Sequence, residues 1–168
     1  MPHPLALYLV RHALAADRGD AYPDDTLRPL TSKGIARFRT AVEGLARLNI
    51  ALDTILTSPL VRARQTADIL ARGLSGSPPV VETDALRPGA RFEQLVRAVT
   101  QCSDSAAVAL VGHEPDIGAT AGRLLHTPEP LAFNKGAICR IDFDQWPSDG
   151  PGRLRWFVTQ RILRKIAE

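Results

Sequence analysis

Three short apolar runs constrain this chain most: "LYLVRH" (7–12), "DTILTS" (53–58) and "AVALVGH" (107–113). Each is too short for a helix, is rich in Leu, Val or Ile, and stops abruptly at polar residues, which is the mark of a buried strand. Helical spacing follows each run. After a loop over 17–30, Thr31 reads as an N-cap, and Ile35, Phe38, Val42 and Leu45 recur on one face behind it. Ser58-Pro59 reads as a second helix start, with Pro at the first helical position and Ala63, Ala67 and Leu70 as the core face. "PDIGATAGRLL" supplies a helix after the third run, and Phe92, Leu95, Val96 and Val99 mark another before it.

Val80-Val81 forms a further short strand after the "SGSPP" turn (75–79), and "AICRIDF" (137–143) and "RLRWFVTQ" (153–160) are late strands with partial alternation. The terminal "RILRKIAE" predicts a short basic helix, read as a solvated end. Strands alternating with helices predict an α/β three-layer sandwich with a largely parallel central sheet. No linker or internal repeat interrupts residues 1–168, so a single domain is expected.

Charge narrows the partners. The chain carries 21 Lys+Arg against 18 Asp+Glu, a net charge of +3, which fits an anionic substrate. No aromatic-interleaved basic stripe is present, so nucleic acid is not expected. No apolar run approaches the ~20 residues of a membrane span, and the first residues lack the pattern of a signal peptide. The two cysteines, Cys102 and Cys139, form no CxxC motif, so a reducing, cytoplasmic setting is expected. No His/Cys/Asp/Glu set has metal-ligand spacing, and no metal or other cofactor is expected. Nothing in the pattern specifies an oligomer.

In open α/β sheets, ligands sit at the carboxyl ends of strands. The first run ends in Arg11-His12 and the third in Gly112-His113. If those strands are neighbours, the two histidines lie close together. Arg62 falls in the first turn of the helix that follows the second run, where free N–H groups and the helix dipole favour an anion. Its guanidinium adds a forked donor suited to phosphate. Arg64, two residues on, falls on another face.

The blocks "LVRHA", "SPLVRARQTA" and "LVGHEP", in that order, resemble those of the histidine phosphatase superfamily, with its phosphoglycerate mutase-like fold. The short length and "DTLRPLTSKG" (25–34) are most similar to its phosphohistidine phosphatase (SixA-like) branch. The resemblance implies that His12 is a nucleophile that becomes phosphohistidine and is then hydrolysed. It implies that Arg11, Arg62 and His113 hold the phosphoryl oxygens, with Arg28 as a further substrate-binding arginine. For Arg28, pairing with Asp24 or Asp25 is the competing role. Three arginines and a protonated His113 would neutralise the transferring group without a metal.

Two departures from the family pattern stand out. Its usual Arg-His-Gly is Arg11-His12-Ala13 here, and Ala is expected to be harmless. Where many relatives carry an acidic proton donor, Ala85 stands, leaving Asp84, Glu82 and Glu114 as weak alternatives. A phosphohistidine substrate tolerates that loss better than an alkyl phosphate ester, because its leaving imidazole can be protonated beforehand. The expected partner is therefore a phosphorylated protein. A small phosphate ester or anhydride is the alternative substrate, and a non-catalytic phosphoprotein-binding module is the alternative of another class.

Overall fold

The computed structural model describes residues 2–168. In chain order the elements are β1 (His3–Arg11), α1 (Ser32–Arg47), β2 (Thr54–Thr57), α2 (Val61–Gly73), β3 (Val80–Glu82) and α3 (Phe92–Thr100). They continue with β4 (Ala107–Gly112), α4 (Asp116–Leu125), β5 (Ile138–Trp146), β6 (Arg153–Val158) and α5 (Gln160–Ile166). The six strands form one sheet in the order β3-β2-β4-β1-β5-β6. The first four are mutually parallel, and β5 and β6 join antiparallel. This is the expected largely parallel sheet.

Period-two alternation sorts the strand side chains into two cores. Leu5, Leu7 and Leu9 of β1 and Val108 and Leu110 of β4 pack on one side, with Leu95 of α3 and Ile117 and Ala121 of α4. Tyr8 and Val10, with Ala109 and Val111, face the other side against Phe38 and Leu45 of α1, Ala63 and Leu70 of α2, and Leu163 of α5. Helices therefore cover both faces, and the three-layer sandwich is as expected. Each fully buried Leu or Phe contributes roughly 1.5–3 kcal/mol, so both layers are needed to hold the sheet.

Helix starts follow the sequence signals unevenly. The Thr31 hydroxyl accepts from the Gly34 N–H at 2.9 Å, so it caps α1 as expected. Ser58 does not cap α2. That helix begins at Val61 with Leu60 at its N-cap, and the Ser58 hydroxyl is engaged elsewhere. Arg62 still falls in the first turn. The loop over 17–30 contains a single 3-10 turn, Asp25–Leu27, capped by the Asp24 carboxylate. The final helix α5 docks on α1 at Gly44, where an added Cβ would lie 1.9 Å from the Leu163 carbonyl oxygen. Only glycine permits that approach.

Register positions the site. Arg11 pairs with Gly112 across β1 and β4, and Thr57 pairs with Val111 across β2 and β4. Backbone bonds carry the alignment one residue further, from His12 N–H to Gly112 O (3.0 Å) and from Ser58 N–H to Val111 O (3.0 Å). Three adjacent parallel strands thus end level, and the residues that follow them emerge together.

Candidate active site

The structure brings Arg11, His12, Arg28, Arg62 and His113 around one cavity of about 340 Å³ at the carboxyl ends of β1 and β4. The neighbouring-strand condition on the two histidines is met, with ring centroids 5.2 Å apart. His12, Arg28, Arg62 and His113 are almost fully buried, at 6%, 7%, 2% and 4% exposure. Five cationic side chains (Arg11, Arg18, Arg28, Arg62, Lys135) line the cavity against three carboxylates (Asp17, Asp25, Glu114), so the pocket favours an anion.

His12 is held in one tautomer. Its Nδ1 lies 2.7 Å from the Ala13 carbonyl oxygen. A carbonyl can only accept, so Nδ1 carries the proton. Burial is the main cause that lowers the His12 pKa from 6.5 to about 4. The Ala13 hydrogen bond opposes it, and Arg62, Arg11 and Arg28 reinforce it. The ring is therefore neutral at neutral pH, and Nε2 keeps an unprotonated lone pair. The alanine at position 13 is unstrained: it is absent from the residues with positive φ, and its N–H donates to Thr66 Oγ1 at 3.1 Å.

His113 differs from the sequence expectation. Burial first, then His12, Arg62 and Arg28, push its pKa down to about 3, against the opposing charge of Asp25. It is neutral rather than protonated. The Ser58 hydroxyl sits 2.8 Å from Nε2 and already accepts from the Leu60 N–H. The hydroxyl has a second lone pair and one hydrogen, so it can pair with Nε2 in either tautomer of the ring. Nδ1 of His113 is a buried polar atom with no partner, as are Nε of Arg11 and Nε of Arg62. Unsatisfied buried donors cost roughly 1–3 kcal/mol each.

The arginines are fixed by carbonyls and by one carboxylate. Arg11 Nη1 donates to the Phe133 carbonyl at 2.7 Å. Arg62 donates through Nη1 to the Asp25 carbonyl (2.8 Å) and through Nη2 to the Asp25 carboxylate (3.0 Å). Arg28 donates through Nε to the same carboxylate (2.9 Å) and through Nη1 to the Ala16 carbonyl (2.8 Å). Arg28 thus both lines the cavity and makes the pairing that competed with that role. Burial works to raise the Asp25 carboxyl. The Arg28 hydrogen bond and the charges of Arg62, Arg28 and Arg18 outweigh it, and its pKa is lowered.

The acid alternatives separate. Asp84 pairs with Arg87 at 2.6 Å and is 83% exposed, and Glu82 pairs with Arg64 at 3.1 Å. Neither lines the cavity, whereas Glu114 does. Burial is the main cause that raises its pKa, against hydrogen bonds from the Phe133 and Gly118 N–H groups and the charge of Arg11. Glu114 therefore braces the backbone whose Phe133 carbonyl holds Arg11. Arg64 also pairs with Asp68 and is absent from the cavity.

Sequence reasoning missed Ser58 as a partner of His113, Asp25 as the junction of the arginines, and Lys135. A serine that ends a strand beside two strand-end histidines was the available signal for Ser58. Lys135 lies in a loop that carries no period. Among the described residues, no group of three or more His, Cys, Asp or Glu is arranged to hold a metal ion.

The family model of the histidine phosphatase superfamily (branch 1) matches residues 7–88. The chain is 44% identical over 135 residues to an uncharacterized protein of Picosynechococcus sp., covering 78% of this chain and 75% of that one. It is 27% identical over 166 residues to phosphohistidine phosphatase SixA of Escherichia coli K12, covering 95% and 97%. Among solved structures, the protein histidine phosphatase SixA complexed with tungstate superposes with a TM-score of 0.83 at 23% identity, covering 95% of this chain and 99% of that one. The chain belongs to the histidine phosphatase superfamily, and its fold is the phosphoglycerate mutase-like one. Membership supports phosphatase activity.

A pH dependence follows from the buried histidines. Both are held below their ordinary value of 6.5, His12 to about 4 and His113 to about 3. As pH falls from 6.5 towards 4, the unfolded chain binds protons that the folded chain refuses, so stability falls with pH across that window. Thermal unfolding at pH 7 and pH 4.5 should show a larger drop for wild type than for a His12→Asn/His113→Asn double variant. Equal drops would mean that these rings take up protons without unfolding.

Proposed function

We propose that the protein is a metal-independent phosphatase that uses a phosphohistidine intermediate and removes the phosphoryl group from phosphohistidine in a protein partner. The single observation behind this reading is the gathering of His12, His113, Arg11, Arg28 and Arg62 around one cavity, with His12 Nδ1 tied to the Ala13 carbonyl so that Nε2 is its free nitrogen. In the first step, His12 Nε2 attacks phosphorus in line. The P–Nε2 bond forms as the bond from phosphorus to the substrate imidazole breaks, and the electron pair leaves with that nitrogen. In the second step, water attacks phosphorus, the P–Nε2 bond breaks, and inorganic phosphate departs. Arg11, Arg62 and Arg28 take the charge on the equatorial oxygens, beside the ring of His113.

Two of the three pocket carboxylates, Asp25 and Glu114, are engaged by other groups, which supports this substrate over an alkyl ester. Asp25 is committed to three arginines and is held ionised. Glu114 is committed to two backbone N–H groups. A leaving imidazole protonated on its other nitrogen departs without a protein acid, whereas an alkoxide needs one. Two free cysteines suit a reducing compartment, and we place the protein in the cytoplasm.

A phosphohistidine peptide and an alkyl phosphate such as glycerol phosphate, assayed side by side in buffer containing chelator, test the reading. The peptide should be hydrolysed with kcat/KM at least about a hundredfold higher, the scale on which losing acid assistance slows an alkyl ester. Equal or reversed preference would assign the site to small esters. Binding of phosphopeptide without phosphate release would make the protein a binding module.

Arg62 offers a second check. Lys cannot reproduce a forked donor, so Arg62→Lys should lower kcat/KM by roughly ten- to a thousandfold. Arg64→Lys should stay within about twofold, because its partners Asp68 and Glu82 accept an ammonium as readily. Arg62 is buried on Asp25, so both variants should be assayed well below their unfolding temperatures. Equal effects at 62 and 64 would remove Arg62 from the phosphate pocket.

A further inference from the structure

The terminal helix read from the sequence as a solvated end forms one wall of a second, larger groove. This groove has a volume of about 990 Å³ and lies between α1, α5 and the segment before β5. Arg37, Lys135, Arg161, Arg164 and Lys165 line it, and no carboxylate does. Lys165 pairs with Glu168 at 3.0 Å. Among the described residues, Arg37, Lys135, Arg161 and Arg164 form no ion pair. Four unpaired cations in one depression raise a local positive potential well above what a net charge of +3 spread over the whole surface would give.

The groove neighbours the candidate active site. Lys135 lines both cavities. The residues around it are tied to the end of β1: the Phe133 carbonyl accepts from Arg11 Nη1 at 2.7 Å, and the Gly136 N–H donates to the Arg11 and His12 carbonyls at 3.1 and 3.2 Å. A polypeptide whose phosphorylated side chain enters the smaller cavity would run its flanking residues into the larger one.

We propose that this groove is a docking surface for an acidic segment of the phosphorylated protein substrate, next to its phosphohistidine. The inference rests on the function proposed above and adds the chemistry by which the partner is chosen. Charge complementarity selects an acidic polypeptide, and Ile162, 49% exposed on the same wall, offers it an apolar contact. Single-stranded nucleic acid would call for aromatic stacking platforms, and none lines the groove. A membrane surface would call for a long amphipathic helix with a broad apolar face, whereas α5 has seven residues.

The test uses synthetic peptides with a central phosphohistidine flanked on both sides by Glu or by Gln, and p-nitrophenyl phosphate as a small substrate. The protein variant is Arg37→Glu/Arg161→Glu, at two exposed positions outside the catalytic cavity. For wild type at low salt, the Glu-flanked peptide should have a kcat/KM about tenfold above the Gln-flanked one, mainly through KM. The advantage should vanish in about 1 M salt, where the Debye length is ~3 Å. In the variant it should vanish or reverse at low salt, while turnover of the Gln-flanked peptide stays at the wild-type level and serves as the control for folding.

Equal turnover of the two peptides by wild type would overturn the docking inference and leave the proposed function standing. Hydrolysis of p-nitrophenyl phosphate with no hydrolysis of either peptide would overturn both. A fluorescent single-stranded oligonucleotide or anionic lipid vesicles that bind wild type but not the variant, with no discrimination between the peptides, would assign the groove to that other partner and overturn the proposal.

Discussion

The parallel register of β1, β4 and β2 is the constraint on which the rest depends. Because Arg11 sits opposite Gly112 and Thr57 opposite Val111, the chain leaves three adjacent strands at one level. His12, His113 and Ser58 are the next residues, so the histidine pair and its hydroxyl partner are set by backbone pairing before any side chain interacts. A slip of one residue on β1 would swap its two faces, sending Leu5, Leu7 and Leu9 into the layer packed around Tyr8 and Val10 and turning His12 away from His113. Both layers are apolar, so what opposes that slip is the fit of side-chain size in each layer: Leu5, Leu7 and Leu9 fill one, and Ala6, Tyr8 and Val10 the other.

Electrostatics then decides what the histidines are. Charge counting alone invites a protonated His113 as one more cation for an anion. Burial reverses that: a ring removed from water and surrounded by guanidiniums loses its proton first. The cost of the arrangement is acid sensitivity, and its benefit is a basic Nε2 on His12 at any pH above about 4. The positive charge that the histidines give up is supplied by arginines, which stay ionised under the same burial. Asp25 makes that possible, because one carboxylate touches Arg18, Arg28 and Arg62 and offsets their mutual repulsion.

What was legible in the sequence was what a local pattern encodes. Strand ends, helix faces and the first-turn place of Arg62 follow from apolar periodicity and turn residues within a few positions of each other. The order of layers followed from alternation of strands and helices. Of the three-arginine junction at Asp25, only the Arg28 pairing, three residues away, was legible; Arg62 lies 37 residues away, and Arg18 joins from a loop with no period. Ser58 was misread for a physical reason. Ser-Pro is a good helix start, but its hydroxyl is claimed by His113, and α2 opens at Val61 without a side-chain cap. The basic tail looked like a solvated end because its wall partner, Arg37, is far away in sequence on α1.

The central claim is a covalent phosphoryl group on His12 Nε2, and the most direct measurement is to trap it. Wild-type protein mixed with a phosphohistidine peptide carrying a radiolabelled phosphoryl group, then quenched in base within one turnover, should hold label that survives base and is lost in acid. Proteolysis should place that label on the fragment containing His12, and the His12→Ala variant should hold none while keeping a wild-type circular dichroism spectrum. Rapid phosphate release with no labelled protein, or equal label on the variant, would contradict the account.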